Sequence, residues 1–389
     1  MNVHIILSSA TIFDQDDSIY DGIVEMLKEF AKRKYDVLFV SHQWEKHALF
    51  EHCIHEETGL EIKFRTRADI REVLKNPENK ACLKTAIVVG SSDEDLYLAA
   101  NFKLLLINPE WSYIKELKAI KYGFSLGVPE KVAKMIDIIK NQQSWFFELE
   151  IDSNCKLYAL TSANNNSATG DEEEIINNFR KILKEGYKKN FEALFFHFIA
   201  SVMKSDELRE IDIWSIMPSS GTALNPDMLE IKERCRYLNG RRKDNFDNPL
   251  FIRHRPTRKS HLTRPEERLR TGAKKHLSTI NLNPDYKRSL KGKVVCVIDD
   301  YITNGTSFKA LRNILIKAGA KKVIFVAIGR FKKGEFGVYQ KEDYRIDGDV
   351  FTTDYSFKLS QIDQNFGVNG KYNSKAKEEV ENIYNILYS

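Results

Sequence analysis

The chain predicts an α/β protein of two parallel-sheet domains, and three observations carry that prediction. Short apolar runs of four or five residues recur between stretches of helical periodicity, as expected of strands covered on both faces and joined by crossover helices. The length, 389 residues, is enough for two or three domains. The alternation pauses near residues 141–150, which separates a first unit, 1–145, from a second, 150–389.

In the first unit, strands are expected at 3–7, 36–40, 86–89 and 104–107, with an amphipathic helix at 19–32 and a closing helix at 130–140. Repeated apolar strands separated by helices give it a Rossmann-like character. The second unit opens with a strand at 156–160, then an Asn-, Ser- and acid-rich loop at 164–174 and a largely helical stretch at 175–204. A strand at 211–217 follows and runs into Pro218-Ser-Ser-Gly-Thr222. Beyond a helix at 265–277 come a strand at 294–298, a helix at 308–318, a strand at 322–328, a polar Gly-punctuated region at 334–373 and a last helix at 375–387.

No apolar run approaches the roughly 20 residues a membrane helix needs, and the first residues lack a basic leader, so a soluble protein with no signal peptide and no membrane partner is expected. Cys53, Cys82, Cys155, Cys235 and Cys296 show no paired spacing, which fits reduced thiols in a cytoplasm. The net charge of +5 conceals an uneven distribution: residues 232–275 hold fifteen Lys and Arg against five Asp and Glu. Their centre, residues 253–264, is Pro-broken and poor in apolar residues, and reads as a mobile basic loop.

The most informative stretch is Val295 to Ser307. A buried strand ends in Asp299 and Asp300, a loop follows, and a helix begins. In open α/β sheets ligands bind at the carboxyl edge of the strands, where the loop feeds the positive end of a helix. Gly305 permits close backbone approach. Thr303, Asn304, Thr306 and Ser307 add short donors to the free N–H groups of the first helical turn, which together suit one phosphate. Two adjacent acids suit a sugar diol, so the whole describes a ribose 5-phosphate.

At these residues the sequence resembles the type I phosphoribosyltransferases, whose signature is an apolar strand, Asp-Asp, two residues, Thr-Thr/Ser-Gly, one residue and Thr/Ser. Asn304 is the one departure, since the family usually has a hydroxyl there. The resemblance implies that Asp299 and Asp300, the catalytic candidates, hold the ribose hydroxyls of phosphoribosyl pyrophosphate. It implies that Thr303, Asn304, Gly305, Thr306 and Ser307 hold the 5-phosphate, and that Ser219, Ser220, Gly221 and Thr222 hold pyrophosphate through backbone N–H groups. A flexible basic loop with Arg253, Arg255, Arg258, Lys259 and Arg264 would meet the departing pyrophosphate. The cofactor implied is Mg²⁺, brought with the substrate to Asp299 and Asp300. The acceptor base stays unassigned, although Thr303, where hypoxanthine/guanine-type members place an acid, argues against that subgroup.

The first unit resembles a degenerate, capless haloacid dehalogenase-like domain. The likeness lies in Ala10-Thr11-Ile12-Phe13-Asp14, in the strand ending at Val40-Ser41, and in residues 87–95. Where active members carry their two catalytic acids the pattern has Leu7 and Ser9, and Ser91 stands where an acid follows Val-Gly. Leucine cannot form an aspartyl-phosphate, so no phosphatase chemistry is expected, even though Asp93 and Asp95 remain. His42, His47, His52, His55 and Cys53 crowd together but show no second ligand pair at fixed spacing, and a solvated helix explains them better than a metal.

The resemblance thus implies a Mg²⁺-dependent phosphoribosyltransferase that moves ribose 5-phosphate to a nitrogenous acceptor and releases pyrophosphate. Two further readings stay open. One is a non-catalytic sensor or effector that binds phosphoribosyl pyrophosphate or a nucleotide and signals to a partner protein, since fusions of these two domain types look like components of bacterial stress or phage-defence systems. The other is a nucleic-acid contact through residues 232–275. A homo-oligomer is compatible with all three.

Overall fold

Ile5, Ile6 and Leu7 are fully buried in β1 (His4–Ser8), which pairs in parallel with β2 (Asp36–Val40) on one side and β4 (Ile87–Val89) on the other. The computed structural model describes residues 4–142, 145–163, 191–240, 248–257, 271–331, 339–363 and 370–388. With β3 (Phe64–Arg65), β5 (Leu105–Pro109) and β6 (Phe124–Leu126), the first sheet has six parallel strands in the order 3-2-1-4-5-6. That is the doubly wound order, with its switch point between β1 and β4. The helices are α1 (Ile23–Lys32), α2 (His47–Thr58), α3 (Arg67–Lys75), α4 (Asp93–Phe102), α5 (Leu117–Tyr122) and α6 (Glu130–Asn141). Capping boxes of Thr66 with Asp69 and of Ser92 with Asp95 start α3 and α4 by satisfying the free N–H groups of the first turn.

The second sheet is mixed, in the order β16-β7-β8-β13-β12-β9. β8 (Cys155–Ser162), β13 (Lys322–Arg330), β12 (Val294–Ile302) and β9 (Ile213–Ile216) run parallel. β7 (Phe147–Asp152) and β16 (Lys371–Tyr372) add antiparallel strands at one edge. β7 lies in the stretch that the sequence assigns to the junction. Its alternation of buried Phe147, Leu149 and Ile151 with more exposed Glu148, Glu150 and Asp152 is the pattern of an antiparallel strand covered on one face. Two hairpins, β10 (Phe251–Arg253) with β11 (Ile280–Leu282) and β14 (Lys341–Asp347) with β15 (Ser356–Asp363), were also not expected. The remaining helices are α7 (Phe191–Lys204), α8 (Asp206–Arg209), α9 (Pro226–Leu238), α10 (Lys274–Leu277), α11 (Thr306–Lys317) and α12 (Lys375–Tyr388).

β12 divides two cores. Val295 and Val297 pack with α11 and both hairpins, whereas Val294, Cys296 and Ile298 belong to a cluster that continues through α7 and α9 into the first sheet. The two sheets are therefore joined by apolar packing. Phe124 of β6 lies 5.2 and 5.0 Å from the rings of Phe195 and Phe196, and Tyr122 stacks on Tyr237 of α9 at 4.1 Å. The guanidinium of buried Arg234 sits 4.1 Å from the Phe195 ring and donates to Gly123 O and Glu192, so its charge is met as it is buried. Arg209 donates to Phe102 O and Lys103 O from the α8 side.

Among the described residues no helix is long and apolar enough to cross a membrane, and all five cysteines are free.

Truncating Phe196 to alanine should cost about 3–5 kcal/mol, the range for an aromatic deleted from a close-packed core. In denaturant unfolding, fluorescence of Trp111 in the first unit and of Trp214 in the second, isolated by replacing the other tryptophans, should shift to lower midpoints together. A shift confined to Trp214 would contradict a shared core.

Candidate active site

β12 continues past the predicted 294–298, so Asp299 and Asp300 lie within its last residues, beside β13 through Asp299 and Ala327. Asp299 Oδ1 accepts from Asp300 N at 3.0 Å and Oδ2 from Ser307 Oγ at 3.3 Å, while Asp300 Oδ1 accepts from Tyr301 N at 2.6 Å. Burial, and then the charge of Asp300, hold Asp299 well above the usual carboxylate range. Both carboxylates stay partly exposed at the end of the strand.

The loop after β12 turns on Gly305, whose φ is +72°. An added Cβ would lie 2.6 Å from Tyr339 Cε2, because the buried Tyr339 ring packs directly beneath the loop. Thr306 begins α11 with its N–H and hydroxyl both donating to Asn304 Oδ1, the hydroxyl at 2.7 Å. Arg330, buried against the Phe147 ring at 3.8 Å, donates to Thr303 O. Thr306 and Ser307 direct their hydroxyls to Asn304 Oδ1 and Asp299 Oδ2, so both help to shape the loop. The loop also offers an anion its backbone: among the described residues, the N–H groups of Thr303, Asn304, Gly305, Ser307 and Phe308 have no acceptor.

The turn after β9 lies beside this loop, since β9 and β12 are neighbours and Met217 N donates to Ile298 O at 2.8 Å. Among the described residues, the N–H groups of Ser219, Ser220, Gly221 and Thr222 likewise have no acceptor, and nothing lies within 4 Å of an added Cβ at Gly221. The carbonyls of the same turn are tied down. Pro218 O and Ser219 O accept from Arg253, and Ser220 O accepts from Thr257 N at 2.8 Å.

Arg253 is thus no member of a mobile loop. It ends β10, is 5% exposed, and spends its donors on Ser219 O (2.5 Å), Thr279 Oγ1 (2.7 Å), His276 Nδ1 (3.2 Å) and Pro218 O (3.4 Å). Burial lowers its pKa to about 10, with Asp299 opposing the shift. Arg255 is exposed two residues on, while Arg258, Lys259 and Arg264 lie outside the described residues. Lys232, Arg234 and Arg236 of the same basic stretch are buried in α9, with Glu233 serving Lys232 and Arg236 and Glu192 serving Arg234. Four of the seven described Lys and Arg of that stretch, Lys232, Arg234, Arg236 and Arg253, are therefore internal. Composition cannot reveal this, because it counts charges without their partners.

Among the described residues no three His, Cys, Asp or Glu side chains gather as a metal site. Asp299 and Asp300 nevertheless fit Mg²⁺ in its usual manner, through one or two carboxylates completed by oxygens of a bound phosphate ligand and water.

In the first sheet, Leu7 is buried within β1, and Ser91 Oγ meets Ser112 Oγ at 2.9 Å at the end of β4. The two remaining acids are occupied: Asp95, fully buried, accepts from Arg67 at 2.7 Å, and Asp93 accepts from Ala119 N. Arg67 supplies at Asp95 the positive charge that a cation would bring. His52, Cys53 and His55 share α2, whereas His42 precedes it.

Comparison with protein-family models, with curated proteins and with solved structures finds no match to this chain.

Asp299→Asn should raise the melting temperature of the ligand-free protein at pH 7. An acid whose pKa is raised by folding contributes stability below its unfolded value and loses it as pH rises through the folded one, so the gain should shrink as pH falls toward about 4. A gain independent of pH would contradict the burial argument. Gly305→Ala should lower stability by more than about 1 kcal/mol, from positive φ and the clash with Tyr339 together; an unchanged unfolding midpoint would show that the loop adapts.

Proposed function

We propose that the second sheet binds phosphoribosyl pyrophosphate and transfers its ribose 5-phosphate to a nitrogenous acceptor, with release of pyrophosphate. One observation carries this reading: two turns of acceptor-free backbone N–H groups, after β9 and after β12, stand side by side with two carboxylates at the head of one of them. Their position at one edge of neighbouring strands suits a ligand with a phosphate at one end, a diphosphate at the other and a diol between.

In this reading the Thr303–Phe308 amides bind the 5-phosphate at the positive end of α11, and Asp299 and Asp300 accept the ribose hydroxyls. The amides of the 218–222 turn bind the diphosphate and stabilise its charge as the C1–O bond breaks at an electron-poor ribosyl centre. A nitrogen lone pair forms the new bond at that carbon, and the bonding electrons leave with pyrophosphate. Mg²⁺, held by Asp299 and Asp300 with the ligand's own oxygens, would neutralise part of the diphosphate charge. The protein supplies position and charge; the reacting groups come from the two substrates.

A second reading keeps the ligand but not the turnover. α9 leaves the 218–222 turn at Pro226 and carries Arg234 and Tyr237 into the first sheet, a direct mechanical link from the diphosphate turn to a domain whose remaining acids are occupied. That link favours a sensor that reports occupancy to the first domain, which we read as dehalogenase-like without phosphatase chemistry.

Asp299→Asn combined with Asp300→Asn should weaken phosphoribosyl pyrophosphate binding at least about a hundredfold by calorimetry, since each lost charge-assisted pair removes about 1.5–3 kcal/mol. Unchanged affinity would sink both readings. Pyrophosphate release across a panel of nitrogenous bases separates them: turnover with any acceptor favours the transferase, and binding without turnover favours the sensor.

A further inference from the structure

Arg253 has the composition of a phosphate ligand and the surroundings of a structural one. Its guanidinium is buried against the underside of the turn after β9, where it meets two carbonyls, a hydroxyl and an imidazole. The partners are themselves fixed. Thr279 Oγ1 donates to Lys275 O at 2.7 Å, so its lone pairs face Arg253. His276, buried on α10, can accept from Arg253 at Nδ1 only while neutral, and burial followed by the charges of Lys275 and Arg253 holds it neutral.

A peptide group has two ends, and fixing one orients the other. With the carbonyls of Pro218 and Ser219 drawn to Arg253, and that of Ser220 drawn to Thr257 N, the peptide N–H groups from Ser219 to Gly221 are turned away from those partners. An anion nest needs free amides whose carbonyls are held elsewhere, and the turn meets both conditions. The planar fork matters here as much as the charge: Lys has the charge but cannot serve four acceptors in one plane.

We propose that Arg253 is a positioning residue which, with His276 and Thr279, pre-forms the 218–222 turn for a diphosphate without touching it. The inference rests on the ligand reading above and adds a division of labour: the clamp governs the diphosphate end alone, because the loop after β12 is braced by Tyr339, Asn304 and Arg330 instead.

Calorimetry with phosphoribosyl pyrophosphate and with ribose 5-phosphate tests this. In Arg253→Lys, affinity for phosphoribosyl pyrophosphate should fall at least tenfold while that for ribose 5-phosphate stays within twofold; Thr279→Val should move the same way by less, and serves where Arg253→Lys fails to fold. Equal losses for both ligands, or no loss for the first, would overturn the clamp. Hydrogen exchange of the Ser219–Thr222 amides, measured without ligand, should quicken in either variant, and unchanged exchange would also overturn it. If the wild-type protein binds neither ligand, the ligand reading falls by itself, and the exchange measurement still decides whether Arg253 orders the turn.

Discussion

A strand buried on both faces that ends in two adjacent carboxylates imposes the main constraint on this molecule. Val294 to Ile298 is covered by one apolar core on each side, and Asp299 is close enough to that interior to be held toward its neutral form. Carboxylates at such a half-buried place need donors fixed before any ligand arrives. The neighbouring turns meet that requirement. Ser307 and the backbone N–H groups of Asp300 and Tyr301 serve the acids, and the loop turns tightly over Tyr339 so that α11 can begin where its N–H groups are useful.

Much of this was legible in the sequence because continuous apolar runs are unambiguous. β1, β2, β4, β5, β12 and β13 all follow from them, as does the emergence of Asp299, Asp300 and the 218–222 turn at one edge. Two of the missed elements, β10 and β14, share a physical cause. β14 points Glu342 inward, where Lys309 meets it at 2.8 Å and Tyr344 at 2.9 Å, so a charged residue occupies a core position and breaks the two-residue period. The three-residue β10 ends in a buried arginine. A rule that places charge outside fails wherever a buried partner answers the charge, and it failed at Arg234, Arg253 and Lys309 alike.

The same cause limits what residue types reveal about the site. Short hydroxyl and amide side chains in a glycine loop suggest phosphate ligands, yet in this loop Thr306 and Ser307 also brace Asn304 and Asp299, and the backbone N–H groups stand free beside them. Asn304 illustrates how a residue that departs from the pattern the sequence resembles can still serve the loop. Its carbonyl oxygen accepts both the N–H and the hydroxyl of Thr306, fixing the start of α11 from within the loop. Sequence shows the substitution; only geometry shows which side of the loop it serves.

The choice between an enzyme and a sensor then turns on α9 more than on the acids. A transferase needs its diphosphate turn held still, and Arg253 holds it from the β10 side. A sensor needs the same turn to move something when occupied, and α9 is the element that leaves it, packed rigidly into the first sheet through Arg234, Tyr237 and the phenylalanines of α7. A turn clamped on one side and joined to a helix on the other has that helix as a path into the first sheet. If the turn binds a diphosphate as proposed, binding energy that is not absorbed at Arg253 can reach the contact between α9 and the first sheet, whether or not a bond is broken in the site.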